Sequence, residues 1–173
     1  SLAFKKFRVT GDIMNHIISV LVENKAGVLA KISGLFSRRG YNIESLAVGP
    51  TDDERISRIT LVVDADERSV EQIIKQLYKL INVIKIQKLE PSNIVERELV
   101  LIKVNADSKT RGEIVEIVNV FRANIVDVAK KTLIIEITGS SQKVKALQDL
   151  LRPFGILELV RTGKIACTRG SKY

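Results

Sequence analysis

The feature that most constrains this chain is a hydrophobic period that alternates between strand and helix and runs through the same order twice. His16 to Glu23 is β-branched and apolar and reads as a strand. Asn24-Lys25-Ala26-Gly27 breaks it. Apolar residues then fall at Val28, Leu29, Ile32, Leu35 and Phe36, the spacing of a helix with one buried stripe. Gly40 fits the left-handed residue that ends such a helix. Asn42 to Val48 reads as a second strand, and Gly49-Pro50-Thr51-Asp52-Asp53 as a turn by composition. Arg55 to Val63 is a third strand with Ile59, Leu61 and Val63 on one face. A second helix is expected from about Ser69, its expected N-cap, with a stripe of Val70, Ile73, Ile74, Leu77 and Ile81. Val83 to Leu89 is a fourth strand, alternating Ile84 and Ile86 with Lys85 and Gln87.

Glu90-Pro91-Ser92-Asn93 punctuates the chain, and the plan then repeats. Leu99 to Val104 reads as a strand. Ile114, Ile117, Val118 and Phe121 mark a helix. Asn124 to Ala129 and Thr132 to Thr138 pair across Lys130-Lys131. Ser141 to Leu151 is a helix, and Ile156 to Val160 the last core strand. Each half has the order βαββαβ, so the expected fold is α+β, two ferredoxin-like domains in tandem over residues 15–90 and 95–170. A local echo supports the repeat: Tyr41-Asn42-Ile43 and Ala123-Asn124-Ile125 both sit where the first helix hands over to the second strand. Each half buries a thin core, with helices on one sheet face only. The other face and the sheet edges invite a second copy, so at least a homodimer is expected.

Composition narrows the function classes. The 173 residues are 45% hydrophobic and 28% charged, with a net charge of +8. Ser1 to Thr10 reads as a polar lead-in. No apolar run is long enough to span a bilayer, no segment has the pattern of a secretory signal, and the one cysteine, Cys167, forms no internal disulfide. A cytoplasmic setting, or a plastid or mitochondrial matrix, is expected. The basic residues are scattered among acidic ones, apart from Lys5-Lys6 with Arg8, Arg38-Arg39 and Lys130-Lys131, which favours a solvated surface over a membrane or nucleic-acid partner. RNA recognition on a ferredoxin-like sheet needs aromatic residues to stack on bases. The strands His16 to Glu23 and Arg55 to Val63 have none. Catalysis fares no better: the single histidine, His16, begins a strand, and nothing orients a pairing with Cys167. Asp52-Asp53-Glu54 reads as a solvated turn, not a metal site.

The stretch richest in chemistry is Glu23 to Leu29, which joins a strand end to a helix start. The first turn of a helix leaves N–H groups unpaired and adds partial positive charge, so a carboxylate docks well there. Gly27 removes a Cβ from the approach. The Asn24 side chain offers an oxygen to an ammonium group and N–H donors to a carboxylate. Val28 and Leu29 suit a small apolar pocket. Together these parts fit the head group of a free amino acid. The same residues also fit a purely structural reading, in which Asn24 caps the helix and Gly27 permits the turn.

Asn24-Lys25-Ala26-Gly27-Val28-Leu29, followed by Leu35-Phe36-Ser37-Arg38-Arg39-Gly40-Tyr41-Asn42-Ile43-Glu44-Ser45-Leu46, resembles the ACT domain of the small regulatory subunit of acetohydroxyacid synthase (acetolactate synthase). The helix around Ile73 to Leu80, the junction Val95-Glu96-Arg97-Glu98-Leu99, Phe121 to Asp127 and Arg161 to Ala166 resemble the same family in order, from His16 to about Arg169. The resemblance implies a chain without cofactors that binds a catalytic large subunit using thiamine diphosphate, magnesium and FAD. It implies activation of that subunit and feedback inhibition by valine or another branched-chain amino acid. By carry-over, Asn24, Lys25, Ala26, Gly27, Val28 and Leu29 would hold the effector from one copy, and Asn42 and Ile43 would close the site from the other. The corresponding stretch of the second half, Asn105-Ala106-Asp107-Ser108-Lys109-Thr110, lacks the Asn-x-x-Gly step and is expected to serve assembly. An ACT-type sensor serving a different enzyme or regulator is the alternative, and an RNA-binding ferredoxin-like protein a remote one.

Overall fold

The computed structural model describes residues 14–170. The polar lead-in and its Lys5-Lys6-Arg8 cluster lie outside the described residues. The chain divides between Asn93 and Ile94 into two compact units. The first contains β1 (Met14–Glu23), α1 (Val28–Arg39), β2 (Ile43–Pro50), β3 (Ile56–Ala65), α2 (Glu67–Tyr78) and β4 (Val83–Leu89). Its sheet has the order β2-β3-β1-β4, with every neighbouring pair antiparallel. The second contains β5 (Ile94–Asn105), α3 (Arg111–Val120), β6 (Asn124–Val128), β7 (Thr132–Gly139), α4 (Ser141–Leu151), β8 (Ile156–Arg161) and β9 (Ile165–Thr168). Its sheet has the order β6-β7-β5-β8, and β9 pairs with the first residues of β5, Ile94 to Arg97. Both units are ferredoxin-like βαββαβ folds, the second with an added strand.

Each core forms where the helix stripes meet alternate residues of the two central strands. In the first unit Ile18, Val20 and Val22 of β1 and Ile59, Leu61 and Val63 of β3 pack with Ile32, Leu35 and Phe36 of α1 and Val70, Ile73 and Leu77 of α2. Full burial of each such side chain contributes roughly 1.5–3 kcal/mol. The opposite sheet face is also closed at its centre, where Ile17, Ser19, Thr60 and Val62 are buried. In the second unit Val100, Ile102 and Val104 of β5 meet Ile114, Val118, Val144, Leu147 and Leu151 of the helices.

Several local expectations are corrected. Helix α2 starts at Glu67, not Ser69: the N-cap is Asp66, whose carboxylate accepts from the Ser69 N–H. A charged cap four residues before the first stripe residue competes with the serine just before it, and it wins because Asp66 has the extended backbone a cap requires. The same helix stops at Tyr78, so Ile81 lies beyond it and is 89% exposed. Ile84 is half-exposed while Ile86 is buried. Gly49 and Pro50 belong to β2, opposite Arg58 and Ser57; a proline is tolerated there because β2 is an edge strand. Strand β9 was not expected: four residues are too short to show a period. In the second unit β5 begins at Ile94, five residues before the expected start.

Candidate functional site

The β1–α1 corner is built by two ties. On one side the Asn24 N–H donates to the Arg55 carbonyl at 2.7 Å, and Asn24 Nδ2 donates to the Glu54 carbonyl at 2.8 Å. Both carbonyls belong to the β2–β3 hairpin. On the other side Glu23 N–H donates to the Asn82 carbonyl at 2.9 Å, Asn82 Nδ2 donates to Glu23 Oε2 at 3.0 Å, and Lys31 Nζ donates to Asn82 Oδ1 at 3.2 Å. Lys25 Nζ lies 3.1 Å from Glu23 Oε2. The Asn82 amide and the Lys25 ammonium hold the Glu23 carboxyl below its usual range.

Between these ties the helix start is open. The N-cap of α1 is Gly27 at φ 85, in the left-handed region that glycine favours, with no side-chain cap and no acidic residue in the first turn. Asn24 therefore does not cap this helix. The N–H of Val28 makes a long 3.4 Å bond to the Lys25 carbonyl. The N–H groups of Gly27, Leu29 and Ala30 find no acceptor among the described residues. A Cβ added at Gly27 would meet nothing within 4 Å, so the approach is clear. Asn24, Lys25 and Ala26 are exposed, Val28 is buried in the core, and Leu29 is 41% exposed beside the open N–H groups. One N–H of Asn24 Nδ2 is engaged by Glu54, so Asn24 leaves a ligand its acceptor Oδ1 and its second N–H. The Glu54 bond fixes the orientation of that amide.

Asn42 and Ile43 lie elsewhere. They follow Gly40, which caps the far end of α1 at φ 68. The ten helical residues from Ala30 to Arg39 separate the two groups, a rise of about 15 Å. One chain does not bring Asn24–Leu29 and Asn42–Ile43 together. Asn42 is exposed, and Ile43 packs at the margin of its own core at the start of edge strand β2.

The second unit repeats this corner with other groups. Asn105 N–H donates to the Gly155 carbonyl at 2.9 Å and Ala106 N–H to the Lys131 carbonyl at 2.8 Å. Asp107 Oδ1 accepts from the N–H groups of Lys109 and Thr110 at 2.8 and 2.9 Å, which hold its carboxyl below the ordinary range, Thr110 first. Arg111 Nη2 reaches the carbonyls of Ala129 at 2.6 Å, Lys130 at 3.1 Å and Ala106 at 3.4 Å.

Comparison with known proteins places both units in one family. Residues 18–85 match the model of the "AHAS small subunit-like ACT domain", and residues 97–170 that of the "Small subunit of acetolactate synthase". An Archaeoglobus fulgidus protein named "Probable acetolactate synthase small subunit" is 58% identical over 92% of this chain and 99% of its own length. The "Acetolactate synthase small subunit" of Mycolicibacterium smegmatis is 55% identical over 91% of this chain and 92% of its own. The chain belongs to the acetolactate synthase small-subunit family. The crystal structure of the small subunit from Thermotoga maritima superposes with a TM-score of 0.86 at 43% identity, covering 92% of this chain and 100% of that one. The small-subunit fold thus spans both units.

Two residues that position the corner escaped the sequence reading, Glu54 and Asn82. They act from 30 and 59 residues away from their partners Asn24 and Glu23. No local pattern marks such pairs. His16 stands apart from the corner: it is buried, with Nδ1 4.0 Å from Glu67 Oε1. Cys167 is exposed, and its thiol donates to the Thr168 carbonyl at 3.7 Å. No described helix is long and apolar enough to cross a membrane.

Proposed function

We propose that this small subunit is regulatory: it binds a branched-chain amino acid, valine foremost, between two copies and transmits that state to a catalytic large subunit. The open start of α1 beside the free Oδ1 of Asn24 is the observation that carries the reading. The ligand carboxylate docks on the N–H groups of Gly27, Leu29 and Ala30, where the helix dipole favours negative charge. Its ammonium group donates to Asn24 Oδ1. Its side chain lies against Leu29, with Ala26 and Lys25 flanking the loop. Asn42 and Ile43 of a second copy close the site, because within one chain the length of α1 keeps them away.

A ligand held between two copies shifts their arrangement only by its differential affinity for the two states. A coupling of about 1–3 kcal/mol is enough for ordinary feedback control. Without effector the small subunit favours the active arrangement of the large subunit; with effector it favours the inhibited one. In this reading thiamine diphosphate, magnesium and FAD all belong to the large subunit. A sensor serving a different enzyme is disfavoured, since family similarity extends through the second unit.

Isothermal titration of the chain with valine, using alanine and lysine as controls, tests the reading. Saturable valine heat that Asn24→Ala removes is expected. No binding of any branched-chain amino acid, even with the large subunit present, would leave an activator without a sensor.

A further inference from the structure

Strand β4 is an edge of the first sheet, and an edge strand offers unpaired N–H and C=O groups to any other chain. Here one hydroxyl occupies them at the centre of the strand. Tyr78, the last residue of α2, places its phenol oxygen 3.3 Å from both the N–H and the carbonyl of Ile86, accepting from one and donating to the other. In an antiparallel ladder the N–H and C=O of one residue point to the same side. Ile86 is opposite Val20 of β1, and a hydroxyl that reaches both of its groups lies on the outer side. The phenol therefore sits where a further strand would have to pair.

Other features converge on this edge. Lys88, two residues along, is drawn to Glu67 in the first turn of α2, so the helix is pinned to the same strand at a second point. Lys85 is exposed on β4, and the register with β1 shifts between Leu21 and Val22. Charged side chains, bulges and a covering helix are recognised ways of blunting an edge. The opposite edge, β2, carries one charged residue, Glu44, and an exposed Val48.

We propose that Tyr78 seals the β4 edge, so that copies of this chain cannot extend the first sheet at both ends. A sheet open at both edges can add copies without limit, whereas a single pairing edge gives a closed two-fold assembly. The inference rests on the backbone contacts of Tyr78 and holds whichever amino acid, if any, binds at α1. The ring is 54% exposed, so removing its hydroxyl leaves the core untouched.

The test is Tyr78→Phe in the full chain, followed by amide hydrogen exchange and by light scattering across a wide concentration range. The Ile86 amide is expected to exchange ~5–10-fold faster, the loss of one hydrogen bond. The mean mass is expected to rise with concentration beyond that of the unaltered chain. Adding Ile84→Lys, which charges the opened edge, should return the mass to its original value. An unchanged Ile86 exchange rate would overturn the contact, and faster exchange without added mass would overturn the sealing role. If Tyr78→Phe fails to fold, the unaltered chain decides: an outward-facing Ile86 amide that exchanges as fast as solvent-exposed amides sinks the proposal.

Discussion

In the first unit the strand–helix corner is tied to the neighbouring hairpin by Asn24; in the second it is tied by Arg111. The backbone framework is the same in both. Asn24 N–H to Arg55 O and Ala106 N–H to Lys131 O are equivalent bonds, as are Glu23 N–H to Asn82 O and Asn105 N–H to Gly155 O. The side chains diverge at one position. Asn24 reaches the hairpin carbonyl of Glu54 itself and leaves the helix start clear. Ala106 has no side chain to do so, and Arg111, the first residue of α3, folds back over its own helix start to reach the equivalent carbonyl of Lys130. Asp107 accepts from the N–H groups of Lys109 and Thr110 just ahead of α3 and so places a carboxylate in this corner, where the start of α1 has none. One fold thus yields a corner with room for an external carboxylate and a corner that already carries a carboxylate and a guanidinium of its own.

The largest expected effect comes from making the first corner resemble the second. Gly27→Asp puts a carboxylate at the N-cap of α1, where it can accept from the N–H groups that now lack a partner. The added cap offsets part of the strain of a side chain at φ 85. The ligand carboxylate then meets an occupied and negatively charged site. Valine affinity by titration should fall by at least ~100-fold, the loss of one or two charge-assisted hydrogen bonds, while stimulation of the large subunit persists. Retained valine affinity would place the effector elsewhere and end the comparison as a functional one.

A smaller effect is expected from opening the second corner. Arg111→Ala removes the donor to the carbonyls of Ala129 and Lys130, and also a buried Nε that has no partner. The loss should cost about 1–2 kcal/mol in urea unfolding. Valine binding should not change, because the Asp107 carboxylate still stands beside the start of α3 and repels a second carboxylate. A variant as stable as the parent would show that water replaces the guanidinium and that Arg111 does not hold this corner.

How far these corners could be read in advance depends on the range of the interactions. The two βαββαβ units follow from side-chain period, a local property, and the helix stripes around Ile32 and Leu147 fall where spacing places them. The ends of elements are harder. Asp66 and Ser69 are both good caps three residues apart, and only the extended backbone of Asp66 decides between them. Ile81 continues the α2 stripe by number alone; the chain has already turned at Lys79 and Leu80, whose N–H groups donate to the carbonyls of Gln76 and Leu77. At the site, Asn24 and Gly27 stand out as residue types, but the role of Asn24 is fixed by Glu54, thirty residues on. The gap between Asn24–Leu29 and Asn42–Ile43 needs only the length of α1, and that length is present in the sequence.

The smallest effect concerns the other end of the same two helices. Gly40 ends α1 at φ 68, and Arg122 follows α3 at φ 53, the one non-glycine residue with positive φ among those described. Tyr41-Asn42-Ile43 and Ala123-Asn124-Ile125 follow these two positions, so Gly40 and Arg122 are equivalent. An L-residue there costs about 1–2 kcal/mol through its Cβ. Arg122→Gly removes this cost but gives the unfolded chain more freedom, worth about 0.4–1 kcal/mol. A net gain of about 0.5 kcal/mol should remain, readable as a small rise in the urea midpoint at unchanged slope. A loss of stability instead would mean that the exposed Arg122 side chain holds its corner through a contact stronger than the strain it carries. The two units would then differ at both ends of the helix that follows their first strand.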